Sequence, residues 1–327
     1  MTFRKLVIAA AVFLGACATS PDPEPATPEW RLVIRGGAGV ITREGMTPEK
    51  EAAYTAALES ALEAGAAILR SGGSALDAVE AAVIPMENDP LFNSGYGAVF
   101  TAAGTHELDA SIMDGRDRNA GAVAGVTRVR NPIKAARAVM DKSEHVMFAG
   151  TGADAFAEAQ GLDMVDNSYF DTDHRRKALE RVLEERSRTA ADRHGTVGAV
   201  AIDREGNLAA ATTTGGMTAK AAGRIGDSPL IGAATYAENG VCAVSATGHG
   251  EYFIRVGVAK TICDRVKLAD DEIEPAATSA LAEVAELGGD GGVIVMNGVG
   301  GYAFVFNSEG MYRGVVDASG ARTAIYG

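Results

Sequence analysis

Apolar positions near the start of the chain recur at the spacing of α-helices. Thr47 and Pro48 fit the N-cap and the first position of a helix that continues to about Arg70, through a segment rich in Ala, Leu and Glu. Ser74 caps a second segment, in which apolar residues return every three or four positions until Asp89. The pattern therefore predicts two neighbouring helices.

Short apolar runs bounded by turn residues follow, and this pattern is typical of strands. Two of the runs are separated by a five-residue loop that contains glycine, which predicts a β-hairpin. If Ile202 faces Leu208 across this hairpin, Thr196 faces Thr214 at its open end. The predicted strands cover residues 31–35, 107–113, 121–129, 145–149, 197–202, 208–214 and 241–245.

The last part of the chain is predicted to be antiparallel. Its three final apolar runs, 291–297, 302–307 and 311–316, are separated by short turns and predict a three-stranded meander. Helical spacing over 251–266 predicts a helix before them. We therefore expect residues 30–327 to form one mixed α/β domain with much antiparallel sheet.

The first residues have the layout of an export signal. Two basic residues precede an apolar run from Leu6 to Leu14, which is too short to span a bilayer. The small residues that end in Cys17 match a lipobox, so residues 1–17 are interpreted as a signal peptide whose cysteine is lipidated; a plain signal peptide is the alternative. Residues 18–29 are predicted to be a flexible tether. The sequence thus predicts an exported, periplasmic protein with a lipid anchor.

Composition argues against two classes of function. The net charge of −13, without any cluster of Lys and Arg, disfavours nucleic-acid binding. The five histidines show no spacing typical of metal ligands, so we expect no metal in catalysis. Cys242 and Cys263 lie in an apolar strand and on an apolar helix face, where we expect buried free thiols.

The dipeptide Gly195-Thr196 lies where a threonine can become a nucleophile. A neutral hydroxyl needs a base, and the α-amino group of the same residue can serve if Thr196 is N-terminal. The hydroxyl can create that state by attacking the Gly195 carbonyl, which converts the amide to an ester that water then cleaves. The freed amine has a pKa of about 8, near working pH. Taken alone, the dipeptide also fits an ordinary strand-edge hydroxyl.

Seven blocks of sequence, one of which contains this dipeptide, favour the catalytic interpretation over the ordinary one. They are residues 92–100 (FNSGYGAVF), 106–110 (HELDA), 194–201 (HGTVGAVA), 214–218 (TGGMT), 223–229 (GRIGDSP), 247–248 (TG) with 250–251 (GE), and 307–313 (NSEGMYR). Together they resemble the plant-type asparaginase and isoaspartyl peptidase family of threonine N-terminal-nucleophile (Ntn) hydrolases. The resemblance implies an α+β fold, the αββα four-layer sandwich with two central, mainly antiparallel sheets. It also implies autocatalytic cleavage into an α subunit, 30–195, and a β subunit, 196–327.

Four matching residues would carry out the reaction. The resemblance implies that Thr196 is the nucleophile and, through its amine, the base, while Thr214 orients both groups. It implies that Thr247 and the N–H of Gly248 form an oxyanion hole for the charge that develops on the attacked carbonyl oxygen. Without the other blocks, Thr247 and Gly248 would also fit a glycine-rich turn.

Four others would bind substrate. The resemblance implies that Arg224 holds the α-carboxylate of the substrate and that Asp227 holds its α-ammonium group, beside the Gly250 carbonyl. Asn93 matches a family position close to the nucleophile. Without the other blocks, Arg224 and Asp227 would also fit a salt bridge within a turn, and Asn93 an ordinary turn residue.

Two positions depart from the family pattern. Arg35 stands where the first glycine motif usually opens with histidine, and His249 stands where the family often has a small hydroxyl residue. Both bear on substrate preference. The resemblance further implies a structural sodium ion held by backbone carbonyls of residues 86–96, and a homo-oligomer of αβ units.

The leading hypothesis is an autoprocessing isoaspartyl peptidase that also hydrolyses L-asparagine to aspartate and ammonia. Its substrates would be small molecules or dipeptides, and it would need no catalytic cofactor. A glycosylasparaginase is an alternative, although that branch typically has aspartate where Gly195 stands. A non-catalytic lipoprotein that keeps the fold as a scaffold is the third hypothesis. The matching polar residues argue against it, because a scaffold does not require them together.

Overall fold

The computed structural model describes residues 29–185 and 195–327. The predicted signal peptide with Cys17, most of the tether and His194 lie outside the described residues. The helices are α1 (Pro48–Arg70), α2 (Ala75–Glu87), α3 (Pro132–Lys142), α4 (Gly150–Ala159), α5 (Asp173–Glu185), α6 (Gly250–Val256), α7 (Val258–Ala269) and α8 (Ile273–Glu286). Among the described residues, no helix has the length and apolar character needed to cross a membrane.

The strands form two sheets. They are β1 (Arg31–Gly39), β2 (Leu108–Asp114), β3 (Ala120–Val126), β4 (Met147–Ala149), β5 (Val197–Ile202), β6 (Leu208–Thr214), β7 (Thr235–Glu238), β8 (Cys242–Gly248), β9 (Gly291–Asn297), β10 (Tyr302–Phe306), β11 (Gly310–Asp317) and β12 (Gly320–Tyr326). The larger sheet has the order β12-β11-β1-β5-β6-β2-β3-β4, and the smaller has the order β10-β9-β8-β7. Neighbouring strands pair antiparallel, except that β3 and β4 are parallel. The prediction of a mixed α/β domain rich in antiparallel sheet is confirmed.

Two hydrophobic cores stabilise this arrangement. One lies between the larger sheet and helices α1, α2 and α3, where Leu62, Val83 and Ile133 are fully buried. The other lies between the two sheets and extends to α7 and α8, where Val200 and Val244 are fully buried. The strands β5 and β6 contact β8 of the facing sheet, so three strands meet where the site residues are predicted.

The two predicted N-terminal helices are confirmed together with their caps. Thr47 Oγ1 accepts a hydrogen bond of 3.3 Å from the Lys50 N–H, and Ser74 Oγ accepts one of 3.1 Å from the Asp77 N–H. These hydroxyls satisfy N–H groups that have no partner inside the helix. Helix α2 packs against β5 and β6 and so supports the predicted hairpin.

The prediction of one continuous helix over 251–266 is wrong. The chain forms α6 and α7, separated by Gly257, whose φ of 64° is left-handed. Its N–H donates to the carbonyls of Phe253 (2.9 Å) and Ile254 (3.2 Å), which closes α6. Glycine adopts this conformation without steric cost. The helical spacing of apolar residues continues from α6 into α7, so the sequence pattern did not reveal the break at Gly257.

The predicted three-stranded meander at the end of the chain is also wrong. β9 and β10 pair as expected in the smaller sheet. β11, which follows them in the chain, instead belongs to the larger sheet, where it pairs with β1 and β12. Alternating apolar positions indicate which face of a strand is buried, but not which strand lies beside it. The structure also contains β7, α8 and β12, which the pattern did not predict.

Cys242 and Cys263 form a disulfide, so the expectation of two free thiols is wrong. Cys242 begins β8 and Cys263 lies in α7, and both residues are buried. Their Cα atoms are 5.6 Å apart, within the usual range for a disulfide. This distance depends on how α7 packs against β8, which the spacing of the cysteines in the sequence does not determine.

Candidate active site

The two threonine hydroxyls that were predicted to be neighbours are in contact. Thr196 directly precedes β5 and Thr214 ends β6, and both residues are buried. β5 and β6 pair with Ile202 opposite Leu208, as predicted, and this register brings both threonines to the same end of the hairpin. The Thr196 hydroxyl donates to Thr214 Oγ1 over 3.1 Å. The contact gives a prospective nucleophile a fixed polar neighbour.

Gly195 occupies a position with no room for a side chain. A Cβ atom there would lie 2.4 Å from the Cβ atom of Asn93, far inside van der Waals contact. Glycine therefore allows the backbone before Thr196 to pass close to Asn93, and it leaves the Gly195 carbonyl without a side chain of its own to shield it. The steric requirement explains why glycine precedes this threonine.

Asn93 fixes the turn that follows β6. Its Nδ2 donates to the Gly216 carbonyl (2.7 Å), its Oδ1 accepts from the Val99 N–H (3.0 Å), and its own carbonyl accepts from the Gly215 N–H (3.0 Å). The Gly216 N–H in turn donates to Thr214 Oγ1 at 3.0 Å. Asn93 thereby positions the Thr214 hydroxyl, a more specific relationship than the proximity that the sequence indicated.

The residues predicted for the oxyanion hole end β8 in the facing sheet. Thr247 is fully buried, and its Oγ1 has no hydrogen-bond partner in the described part of the chain. Gly248 has no space for a side chain, because a Cβ atom would lie 2.4 Å from the ring of Phe253. A buried hydroxyl without a partner costs free energy, so the Thr247 hydroxyl is suited to bind an oxygen atom of a ligand.

Arg224, Asp227 and Gly250 lie together, as the resemblance implied. A Cβ atom on Gly250 would come within 2.8 Å of Asp227 Oδ1 and within 3.0 Å of Arg224 Nη2. Asp227 is buried, and its Oδ2 has no hydrogen-bond partner among the residues that the structure describes. The absence of a side chain at Gly250 leaves space beside a guanidinium group and a carboxylate, which together suit the charged head of an amino acid.

The charge state of Asp227 depends on its surroundings. Burial raises the pKa of Asp227 to about 6, although the charges of Arg224 and Arg35 act to lower it. The charge of Glu251 acts in the same direction as burial. A ligand ammonium group beside Oδ2 would stabilise the ionised form. The carboxylate is therefore arranged to gain a favourable charge partner from a bound ligand.

Glu251 is a polar residue of the site to which sequence reasoning assigned no role. Its two carboxylate oxygens accept hydrogen bonds of 3.0 Å each from Nε and Nη2 of Arg224. This two-bond contact fixes the plane of the guanidinium group, and Nη1 lies outside the pair. Glu251 belongs to one of the blocks that carry the resemblance, but nothing in the sequence indicated that it pairs with Arg224.

Arg35 is fully buried beside the prospective nucleophile, a location that the sequence did not reveal. Its guanidinium group donates to the carbonyls of Thr196, Ala246 and Ser245, the last at 3.1 Å, and to Ser245 Oγ at 2.9 Å. All of these acceptors are uncharged. Burial lowers the pKa of Arg35 to about 9, an effect that the charge of Asp227 opposes.

His249 borders the site between Gly248 and Gly250. Its Nδ1 lies 3.2 Å from Oδ1 of Asp290, and its backbone N–H donates to the Asp290 carbonyl at 3.0 Å. Its ring packs edge-on against Tyr252, with 5.5 Å between the ring centroids. These contacts hold the imidazole in place. Where the family often has a small hydroxyl residue, this chain therefore has a larger side chain in a fixed position at the border of the site.

Backbone carbonyl oxygens from residues 87–92 lie close to two glycines that follow Asn93. A Cβ atom at Gly95 would lie 2.1 Å from the Glu87 oxygen, and one at Gly97 would lie 2.1 Å from the Phe92 oxygen and 2.7 Å from the Pro90 oxygen. Carbonyl oxygens are suitable ligands for hard cations. Within residues 29–185 and 195–327, no group of three or more His, Cys, Asp or Glu side chains could hold a metal ion.

The arrangement has the chemistry of an enzyme that hydrolyses amide bonds. The chain matches the family described as Asparaginase over residues 28–325, and it belongs to that family. It is 48% identical to the isoaspartyl peptidase of Escherichia coli (strain K12), across 86% of this chain and 91% of that protein. It is 42% identical to the isoaspartyl peptidase/L-asparaginase of Xenopus laevis (90% of this chain, 94% of that protein) and 42% identical to that of Homo sapiens (86% and 90%).

Proposed function

We propose that this protein is an autoprocessing isoaspartyl peptidase that also hydrolyses L-asparagine. The proposal rests on the direct contact between the hydroxyls of Thr196 and Thr214. Thr196 immediately follows Gly195, a position with no room for a side chain. Membership of the asparaginase family, and similarity to proteins that carry these two names, support it. The bond cleaved is the amide at the β-carboxyl of an aspartyl group, in a small molecule or a dipeptide.

Activation begins when Thr196 Oγ1 attacks the carbonyl carbon of Gly195. The bond to the Thr196 nitrogen breaks, the hydroxyl proton moves to that nitrogen, and an ester replaces the amide. Water hydrolyses the ester, which leaves a carboxylate on Gly195, a free amine on Thr196 and its hydroxyl restored. The products are the α subunit, 30–195, and the β subunit, 196–327, folded together as an αββα four-layer sandwich.

In turnover, the amine of Thr196 takes the proton of its own hydroxyl as the oxygen attacks the β-carbonyl carbon of the substrate. Thr247 Oγ1 and the Gly248 N–H donate to the oxyanion that forms. The proton then passes to the leaving nitrogen, which departs as ammonia or as the amino group of the second residue. Water hydrolyses the ester on Thr196 and releases aspartate.

Substrate recognition falls to the groups around Gly250. Asp227 and the Gly250 carbonyl would bind the α-ammonium group, and Arg224, oriented by Glu251, would bind the α-carboxylate. The buried Asp227 Oδ2, which lacks a partner among the described residues, supports this assignment. Asn93 contributes by fixing the Thr214 turn. An aspartate in place of Gly195, typical of glycosylasparaginases, would collide with Asn93, so that alternative is not favoured.

Export of the protein and lipidation at Cys17 are also part of this proposal. The Cys242–Cys263 disulfide supports it, because disulfides persist in oxidising compartments such as the bacterial periplasm. We expect the full chain to fractionate with membranes and Cys17→Ala to be released from them. A Cys17→Ala protein that stays with the membrane fraction would contradict the lipid anchor.

Two further properties follow from the family. The carbonyls of Glu87, Pro90 and Phe92 would hold a structural sodium ion, and αβ units would assemble into a homo-oligomer. Sodium chloride should then raise Tm above that measured in tetramethylammonium chloride of equal ionic strength. The mass in solution, measured by light scattering, should be at least twice the mass of one αβ unit.

The proposal as a whole is tested with protein that begins at residue 18. Wild type should give two fragments that divide before Thr196 on a denaturing gel and by intact mass, as should Thr196→Ser, which keeps a hydroxyl. Thr196→Ala should remain whole and inactive. Rates on β-aspartyl dipeptides, asparagine and N-glycosyl-asparagine then rank the substrates. An uncut wild type that hydrolyses none of them would favour the scaffold alternative.

A further inference from the structure

Arg35 joins the two strands that carry the nucleophile and the oxyanion donors. It donates to the carbonyl of Thr196, which leads into β5 of the larger sheet, and to the carbonyls of Ser245 and Ala246 in β8 of the smaller sheet. Thr247 follows directly after Ala246. One planar, rigid group therefore spans the gap between the sheets at the residues that flank the reacting atoms.

We propose that Arg35 is a positioning residue for the reaction: it fixes Thr196 relative to Thr247 and supplies a buried positive charge beside the Thr196 amine. The inference rests on the proposed function, because it concerns two groups of that site. Thr196 and Thr247 belong to different sheets, so no backbone ladder sets their separation. A misalignment of about 1 Å can slow a chemical step about 100-fold.

A row of buried hydroxyls extends this connection toward the substrate subsite. Its members alternate between the two sheets, and successive oxygen atoms are 2.6, 2.7 and 2.8 Å apart: Ser245, Thr212, Thr235 and Ser111. Arg35 donates to the first of them, and the last donates to the Ser228 carbonyl at 2.6 Å. Ser228 directly follows Asp227. Arg35 is thus one end of a polar contact between the sheets that reaches the backbone beside Asp227.

The positive charge of Arg35 has an effect that a neutral hydrogen-bond donor in the same place would not have. Its contacts are uncharged oxygens, and burying a cation without a contacting carboxylate is costly. The charge of Asp227 acts on Arg35, and the charges of Arg224 and Glu251 act on Asp227 in turn. A fixed positive charge disfavours protonation of the Thr196 amine and favours ionised Asp227. Both effects keep the site competent at lower pH.

The test compares Arg35→Met and Arg35→Lys with wild type as full chains, on a β-aspartyl dipeptide, with folding checked by Tm and cleavage by gel. For Arg35→Met at pH 8, where Asp227 stays ionised, we expect kcat to fall about 100-fold with KM within about threefold. The acid limb of kcat/KM should move up by about one pH unit, because the amine loses a neighbouring positive charge. Arg35→Lys keeps the charge without the planar fork, so kcat should fall while the acid limb stays.

Arg31→Met is the matched control. Arg31 lies on the same strand, but its guanidinium group pairs with Asp317 at 3.0 Å, away from the site. We expect a lower Tm with the kcat and acid limb of wild type. An Arg35→Met protein that is folded, cleaved and within about threefold of wild-type kcat, with the same acid limb, would overturn the inference. An equal loss of kcat in Arg31→Met would overturn it too.

The remaining outcomes are also decisive. If Arg35→Met does not fold, Arg35→Lys decides the matter, and a kcat within about threefold of wild type overturns the inference. Slow release of the Thr196 amine in either variant, followed by gel over time, supports it, because activation uses the same alignment. A wild-type protein that hydrolyses neither β-aspartyl dipeptide nor asparagine contradicts the proposed function instead, so the two failures are distinguishable.

Discussion

Glu251 accepts two hydrogen bonds from Arg224, each 3.0 Å long, and so holds the guanidinium group at the edge of the space beside Gly250. Burial acts to raise the pKa of Glu251, but the hydrogen bonds and charge of Arg224 outweigh it and keep that pKa below its ordinary value. Glu251 therefore stays ionised at neutral pH. A guanidinium group that is already oriented loses less entropy when a substrate carboxylate binds.

Glu251→Gln is expected to raise KM about tenfold for aspartyl substrates, with a smaller fall in kcat, because the substrate itself must then orient Arg224. Steady-state kinetics at pH 8 measure both constants. Glu63→Gln is the matched control, since Glu63 also accepts two hydrogen bonds from one guanidinium group, that of Arg70, at 3.0 and 3.1 Å on an exposed surface. Equal changes of KM in the two variants would show that Glu251 has no specific role in binding.

The pH dependence of kcat/KM should carry the signature of Asp227. The Thr196 amine must be neutral, which gives an acid limb of one proton, and burial raises the pKa of Asp227 to about 6. Below that pH the protonated carboxyl no longer attracts an ammonium group, so the limb should steepen to two protons. In Asp227→Asn the residual kcat/KM, about 100-fold lower at pH 8, should fall with one proton throughout. An unchanged second proton would assign the steepening to another group.

The same carboxylate should lower the stability of the free enzyme. Folding raises the pKa of Asp227 from the ordinary 3.8 to about 6, so the folded protein binds this proton more tightly than the unfolded chain. The resulting stabilisation is present below pH 3.8 and is lost as the pH rises to about 6, a change of about 3 kcal/mol. Asp227→Asn should therefore have a higher Tm than wild type at pH 8, measured without substrate. A lower Tm would mean that the ionised carboxylate is stabilised in the folded state.

Autocleavage should depend on the size of residue 195. In Gly195→Ala the new Cβ atom would lie 2.4 Å from that of Asn93, so the backbone must shift and Thr196 Oγ1 loses its alignment with the scissile carbonyl. We expect cleavage at least about 100-fold slower on a time-resolved gel. Gly152→Ala is the control, because a Cβ atom there would have no atom within 4 Å and cleavage should proceed at the wild-type rate. Normal cleavage of Gly195→Ala would exclude the steric requirement.

Local relationships in this protein could be predicted from the sequence. The contact between Thr196 and Thr214 follows from counting residues outward from a hairpin loop, and the caps Thr47 and Ser74 follow from their positions before apolar helices. In each case the interacting groups lie close in the chain or face each other across one turn. The resemblance to a family added the grouping of Arg224, Asp227 and Gly250, which no local pattern contains.

The contacts that could not be predicted join elements distant in the chain. Arg35 and Ser245 are 210 positions apart, and their contact depends on how two sheets face each other. Glu251 lies in α6, whereas Arg224 lies between β6 and β7. Likewise, β11 follows β10 of the smaller sheet in the chain but pairs with β1 of the larger sheet. An apolar pattern states only that a face is buried, so it carries no information on which element covers that face.

The Cys242–Cys263 disulfide should stabilise the mature protein without linking its two subunits. Both cysteines follow Thr196, so the fragments should separate on a gel equally well with and without reductant. Thiol titration of the denatured, unreduced protein that begins at residue 18 should find neither cysteine reactive.

Reduction of the disulfide should lower the free energy of unfolding by about 2–4 kcal/mol, seen as a fall in Tm, because the bond closes a loop of 21 positions in the unfolded chain. Cys242→Ala combined with Cys263→Ala should show the lower Tm and no further response to reductant. A reductant effect that persists in this double variant would have to come from elsewhere, and equal Tm values for the reduced and unreduced wild type would mean that the bond contributes nothing to stability.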